Sequence, residues 1–258
     1  MSYTLLMASL AAGTFIGMLV LLELGRRIGQ RRLMMDPDGA RAGAGVVEGA
    51  VFALLGLLIA FTFSGAASRF DTRRQLIVEE ANAIGTAYLR LDILPPAAQP
   101  ALREKFRQYV ETRIEVYRKL PDVSAARTEL AKSSKLQQEI WSEAVAASQA
   151  EGAQPARVLV LPALNAMIDI TSTRTMATRM HPPMIIFVML IGLALASSLL
   201  AGSGMAGGKE RSWIHIVGFA ATMALAVYVI LDIEFPRIGL IRLEEFDQML
   251  VDVRASMR

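Results

Sequence analysis

Apolar residues gather into four uncharged runs, Ser2 to Leu22, Gly49 to Ser68, Pro182 to Gly208 and Ser212 to Leu231. At 1.5 Å rise per residue, a run of about 20 residues matches a hydrocarbon core about 30 Å thick, so each predicts a transmembrane helix. Charge bounds every run: Glu23 with Arg26 and Arg27, Glu48 and Arg69, Lys209 and Arg211, and Asp232. The buried helices of a water-soluble core rarely go that far without a charge. The first run lacks a positive n-region, and its apolar stretch exceeds the roughly 7–15 residues of a signal-peptide core, so it reads as a retained helix.

The pattern changes at Arg69. Residues 69–180 mix acidic and basic side chains almost evenly, and Pro95, Pro96, Pro100, Pro121, Pro155 and Pro162 cut them into helix-length pieces. Arg69 to Leu94 follows the second run with no break but Gly85 and predicts one long rod leaving the bilayer. Ala101 to Leu120 places Leu102, Phe106, Tyr109, Val110, Ile114 and Tyr117 at three- and four-residue spacing, an amphipathic helix. Ala125 to Ala150 and Pro155 to Met180 predict two more helices, the last kinked or restarted at Pro162. No strand-like alternation occurs.

The fold class is therefore an all-α integral membrane protein, with four transmembrane helices and a long helical soluble bundle between the second and third. Residues 1–68 form a first transmembrane hairpin with a basic loop at 25–48, residues 69–180 the helical segment, and residues 181–258 a second hairpin and C-terminal tail. Orientation is not settled by charge. Arg26, Arg27, Arg31, Arg32 and Arg41 with Lys209 and Arg211 on one side are balanced by Arg69, Arg73, Arg74, Arg174, Arg179, Arg237 and Arg242 on the other. Four spans place both termini on the same side as residues 69–180.

Composition agrees with the pattern. Of 258 residues 53% are hydrophobic and 20% charged, and the mean hydropathy is +0.41, whereas an average soluble domain is about a quarter charged. A net charge of +3 without a dense basic block argues against nucleic acid. There is no cysteine and only His181 and His215, in no metal-ligand spacing, so no metal or other cofactor is expected. The stretch Ala201 to Lys209 is glycine-rich, but Ser203 stands where a phosphate loop needs its first glycine and Glu210 follows the lysine, so it reads as a hairpin. No nucleophile elbow or catalytic carboxylate pair is present, and the chain is read as a non-enzyme.

Chemistry is expected at helix faces and helix ends instead. Gly13 and Gly17 form one small-residue pair, and Gly56, Ala60 and Ser64 form a stripe on the second helix. If that helix lines a pore, Leu57 or Leu58, Phe61, Phe63 and Ser64 are its lining or gate, with the rings a hydrophobic constriction that closes by dewetting. Ionisable residues near membrane depth are costly and tend to mark ion pathways. Arg69, Arg73, Arg74, Glu79 and Glu80 where the second helix leaves the bilayer, and Asp232, Glu234 and Arg237 where the fourth ends, are candidate vestibule or pore-mouth charges. The same residues could also be interfacial salt bridges, with Glu234 and Arg237 paired.

Several blocks carry a family resemblance. Ala60-Phe-Thr-Phe-Ser64, Arg69-Phe-Asp-Thr-Arg-Arg74, Glu79-Glu-Ala-Asn-Ala-Ile-Gly-Thr-Ala-Tyr-Leu-Arg90 and Leu94-Pro95 resemble the bestrophin-like family of bacterial and plastid membrane proteins, catalogued as a domain of unknown function. Leu164-Asn165 with Asp169, His181-Pro-Pro183 and Asp232-Ile-Glu-Phe-Pro-Arg-Ile-Gly239 are similar to its later blocks in the same order. The resemblance spans about Val47 to Met257 and implies four membrane helices with helical extensions. By analogy with bestrophins it also implies a homo-oligomeric ion channel, leaning to anions, in the inner membrane of a bacterium, with the lipid bilayer, further copies of the chain and small inorganic ions as partners. No acidic cluster aligns with a bestrophin calcium clasp. The competing class is a non-conducting membrane scaffold or sensor whose helical segment binds a partner.

Overall fold

The computed structural model describes residues 3–35, 44–208 and 211–257. Arg41 and Lys209, counted above in the charge balance, lie outside the described residues. Among the described residues there is no strand. The described residues form eight α-helices, in order α1 (Tyr3–Met35), α2 (Ala44–Leu89), α3 (Gln99–Arg118), α4 (Val123–Ala147), α5 (Gln154–Ala177), α6 (Met184–Gly204), α7 (Trp213–Glu234) and α8 (Glu244–Ser256). Residues 1–68 with 181–240 form one compact unit, and residues 69–180 with 241–258 form another.

In the first unit α1, α6, α7 and the first half of α2 are long and apolar enough to cross a bilayer. Met18, Leu22, Leu190, Ala194, Ala220, Val227 and Ile230 make its core. The tightest approach is between α1 and α6, where a Cβ on Gly25 would collide with the Leu199 carbonyl and one on Gly202 with the Leu22 carbonyl. The Gly13–Gly17 pair contributes less: Gly13 faces open space, and only Gly17 meets a neighbour, Leu195. Three hydroxyls inside the spans are satisfied by their own helix, the usual solution where water is absent, whereas Ser197 Oγ, buried in α6, has no partner. Thr14 donates to the Leu10 carbonyl at 2.8 Å, Thr62 to Leu58 at 2.7 Å and Ser198 to Ala194 at 2.9 Å.

The basic segment expected to be a loop over 25–48 is largely helical, since α1 runs on to Met35 and α2 begins at Ala44. The charges of α1 begin at Glu23, but nothing breaks the helix there: Arg27 pairs back to Glu23 at 2.9 Å, an i,i+4 bridge that extends helix past the apolar run.

In the second unit the later half of α2 packs with α3, α4, α5 and α8 around Ile84, Leu91, Leu102, Phe106, Tyr109, Ile140, Leu164, Met167 and Leu250. Asp122 caps α4 by accepting from the Ser124 and Ala125 amides at 3.0 Å. Pro162 sits inside α5, which nevertheless continues to Ala177. The C-terminal segment does not trail from the second hairpin as the chain order suggests. Leu250 and Met257 of this segment are buried in the second unit's core, and Arg254 pairs with Glu111 at 2.6 Å.

Candidate pore face and buried charge clusters

Helix α2 carries the pore-face candidates in the first unit and the charges from Arg69 to Glu80 in the second. Within its membrane-crossing window only 6% of residues are buried, against 22–33% for α1, α6 and α7. Leu55 and Ala66 face inward, and Phe52 meets Phe219 of α7 edge to face at 6.2 Å. Leu57, Phe61 and Phe63 are 52%, 67% and 45% exposed, and Ser64, Gly56 and Ala60 are exposed too. Leu58 is half-buried against the core, so of the two leucines considered as lining it is Leu57 that faces out. At 100° per residue Leu57, Ala60, Phe61 and Ser64 share one side, while Phe63, two residues and about 200° from Phe61, stands on the other edge.

Asp232, Glu234 and Arg237 lie at the end of α7, where Pro236 stops the helix and the chain turns back. Asp232 is almost wholly buried and accepts from the Leu240 amide at 2.8 Å. A Cβ on Gly239 would run into its carboxylate, so glycine is required for that approach. Glu234 is buried against His181, with Oε1 2.9 Å from Nδ1. The His181 ring stacks on Phe235 at 4.5 Å. The block His181-Pro-Pro and the block Asp232 to Gly239, far apart in the chain, thus meet.

In the second unit the charged face of α2 divides into buried and exposed members. Glu80 is fully buried, its Oε1 accepting from Arg113 Nε at 2.6 Å and its Oε2 from Arg174 Nη1 at 2.5 Å. Arg174 donates on to Asp247 of α8 at 2.8 Å, and its guanidinium lies 3.8 Å from the Tyr117 ring centre. Arg113 donates to the Tyr117 hydroxyl at 2.9 Å. Burial by itself would lower the Arg113 pKa, yet Tyr117 and Glu80 beside it raise it above the usual guanidinium range. Arg73 is also buried, donating to the Ala177 and Met180 carbonyls at 3.2 and 3.0 Å and so capping the end of α5. Arg74 is half-buried, pairs with Asp71 at 3.1 Å and stacks on Phe246 at 4.5 Å. Glu79 is exposed, accepting from Gln75 at 2.9 Å, and Arg69 is half-buried.

Glu80 and Arg73 are therefore not open to water within the unit that holds them, because partners on α3 and α5 enclose them. The partners Arg113 and Asp247 escaped the sequence reading, and Arg174 entered it only in the charge balance. Arg113 could have been noticed: it falls four residues from both Tyr109 and Tyr117, on the apolar stripe of α3, where a charge needs a buried counter-ion.

Comparison with known proteins supports the fold. Crystal structures of a bacterial bestrophin homologue from Klebsiella pneumoniae superpose on the chain. A tryptophan-to-alanine variant gives a TM-score of 0.70 at 14% identity, covering 95% of this chain and 98% of that one. Another crystal structure of the homologue gives 0.66 at 14% identity, covering 93% and 98%. No functionally curated protein matches. The family described as Bestrophin-like domain matches residues 7–245, and the chain belongs to that family.

Proposed function

We propose that this chain is the subunit of a homo-oligomeric ion channel of the cell membrane, the inner membrane of a bacterium, with α2 lining the pore. The observation that carries the reading is the bare face of α2. A membrane helix that its own bundle leaves uncovered over Leu57, Ala60, Phe61 and Ser64, and that has small residues at four-residue spacing, suits close approach to copies of itself around an axis. Lipid alone would cover such a face without needing the small residues. Leu57 and Phe61 then form the hydrophobic constriction, and Ser64 supplies a hydroxyl toward the pore.

Arg69, Arg74 and Glu79, which reach the surface of the second unit, are the vestibule charges of this reading, and Arg237 at the end of α7 is a pore-mouth charge of the first unit. Glu80, Arg73, Asp232 and Glu234 hold these segments in place from within. Anion preference rests on the kinship with bestrophins, since the exposed charges mix both signs. The test is ion flux from liposomes containing the purified protein, with chloride and potassium gradients applied separately against empty liposomes. Flux that responds to substitution at Phe61 establishes the channel and its selectivity. Silence under both gradients, in oligomeric and correctly inserted protein, overturns it in favour of a scaffold or sensor.

A further inference from the structure

A second charged site, away from α2's bare face, lies in the first unit where α1 meets the α6–α7 hairpin. A cleft of about 230 Å³ there is walled by Leu22, Met205 and Ile216 and floored by Gly202. Gly25 and Gly202 let the backbones of α1 and α6 touch, and that contact draws the next residue, Arg26, inside until it is only 8% exposed. Its Nη2 donates to the Gly208 carbonyl at 3.4 Å, while its buried Nε has no hydrogen-bond partner. A buried guanidinium with an unfilled donor needs an anion or acceptor to complete it. The carboxylate lining the cleft, Glu23, accepts at Oε1 from Arg27 at 2.9 Å and from Arg211 at 3.0 Å and makes no hydrogen bond to Arg26 Nε.

We infer that this cleft binds the phosphate of an anionic phospholipid headgroup, with Arg26 as its buried donor. Three features favour a lipid over a free anion. The cleft opens at the level where the uncharged runs end, between Leu22 and Glu23 on α1 and at Ser212 before α7, which is headgroup depth. Its walls are mainly apolar, as the glycerol and first methylenes of a lipid require, with Ser212 at the rim. Trp213, 60% exposed, stands beside it with Arg211 near its ring, the pairing of aromatic and basic residues that anchors proteins at the membrane surface. Among the described residues Arg26, Arg27 and Arg211 outnumber Glu23 and Glu48, whose carboxylate lies against Gly204, so a headgroup with net negative charge is favoured over a zwitterionic one.

The experiment uses the full chain in detergent, with phosphatidylglycerol, phosphatidylcholine and inorganic phosphate added separately and bound lipid read by native mass spectrometry. Phosphatidylglycerol is expected to be retained over phosphatidylcholine, and Arg26→Met to weaken its retention about five- to ten-fold. Ile216→Trp, which fills the cleft and leaves the charge in place, is expected to weaken it likewise, so the site stays testable should Arg26→Met fail to fold. Undiminished retention in either variant that keeps its folded size overturns the assignment. So does binding of inorganic phosphate as strong as that of the lipid, which makes the site one for free anions.

Discussion

Arg113 and Glu80 meet at 2.6 Å with both side chains entirely withdrawn from solvent, and Arg174 closes on the other oxygen of the same carboxylate at 2.5 Å. Two guanidiniums share one carboxylate, and Asp247 supplies the second negative charge from α8. The cluster thus ties α2, α3, α5 and the C-terminal helix together through paired charges.

Removing the shared carboxylate leaves Arg113 buried without a counter-ion, while Arg174 keeps only Asp247. Glu80→Gln is expected to destabilise the protein by about 3–5 kcal/mol, the range for breaking one partner out of a buried ion pair. The measurement is denaturant unfolding in detergent beside Glu79→Gln, one residue away but exposed, which should change stability by less than about 1 kcal/mol. Equal effects at the two positions would show that burial does not govern this face of α2.

The Tyr109 hydroxyl is the middle of a donor chain. Gln137 donates to it at 3.1 Å, it donates to Thr171 at 2.9 Å, and Thr171 donates to the Met167 carbonyl at 2.9 Å. Tyr109→Phe strands the Gln137 donor and is expected to cost about 1–3 kcal/mol. Burial pushes the Tyr109 phenol up to about 12 from an ordinary 10. The folded state therefore holds this proton more tightly, so its contribution is complete below pH 10 and is lost as pH rises from 10 to about 12. Stability measured across that window should fall less steeply in Tyr109→Phe than in the natural chain.

Glycines differ by what stands opposite them. Gly25→Ala and Gly202→Ala each press a methyl against the backbone of the facing helix and are expected to cost at least about 1–3 kcal/mol, seen as loss of the monodisperse peak in detergent. Gly56→Ala and Gly13→Ala meet open space within the chain and should leave that peak intact. If the Gly56 variant assembles to a smaller oligomer while the subunit stays folded, α2 packs against its copies through the small-residue stripe.

These contrasts show where the sequence was readable. The four spans followed from uncharged length alone, because a bilayer imposes length and apolarity directly. The second unit's helices followed from proline spacing and apolar periodicity, each within a few residues of α3, α4 and α5. What depended on helix phase between distant segments was not readable. Gly13–Gly17 and Gly25–Gly29 have the same spacing, yet the crossing of α1 over α6 puts Gly25 and Gly29 in contact and leaves Gly13 open. Likewise Glu79 and Glu80 are adjacent and chemically alike, and only the positions of α3 and α5 bury one and expose the other. The meeting of His181 with Glu234 was equally hidden, since it depends on how the start of α6 lies beside the end of α7.

The last prediction separates the two aromatic gate candidates. Phe61 and Phe63 both project from α2, but about 200° of helix rotation divides them, so one axis cannot receive both rings. Leu57, Ala60 and Ser64 mark the centre of the bare face, and Phe61 lies nearer to it than Phe63. If that face surrounds the pore, shortening Phe61 widens a dewetted constriction, whereas shortening Phe63 changes a contact with lipid or a neighbouring subunit. Phe61→Ala is therefore expected to raise basal flux in the liposome assay, and Phe63→Ala to change flux less while lowering the oligomer's thermal stability. The reverse order, in assembled protein, would rotate α2 about its axis and make Phe63 the gate. No change in either variant would move the constriction off these rings altogether.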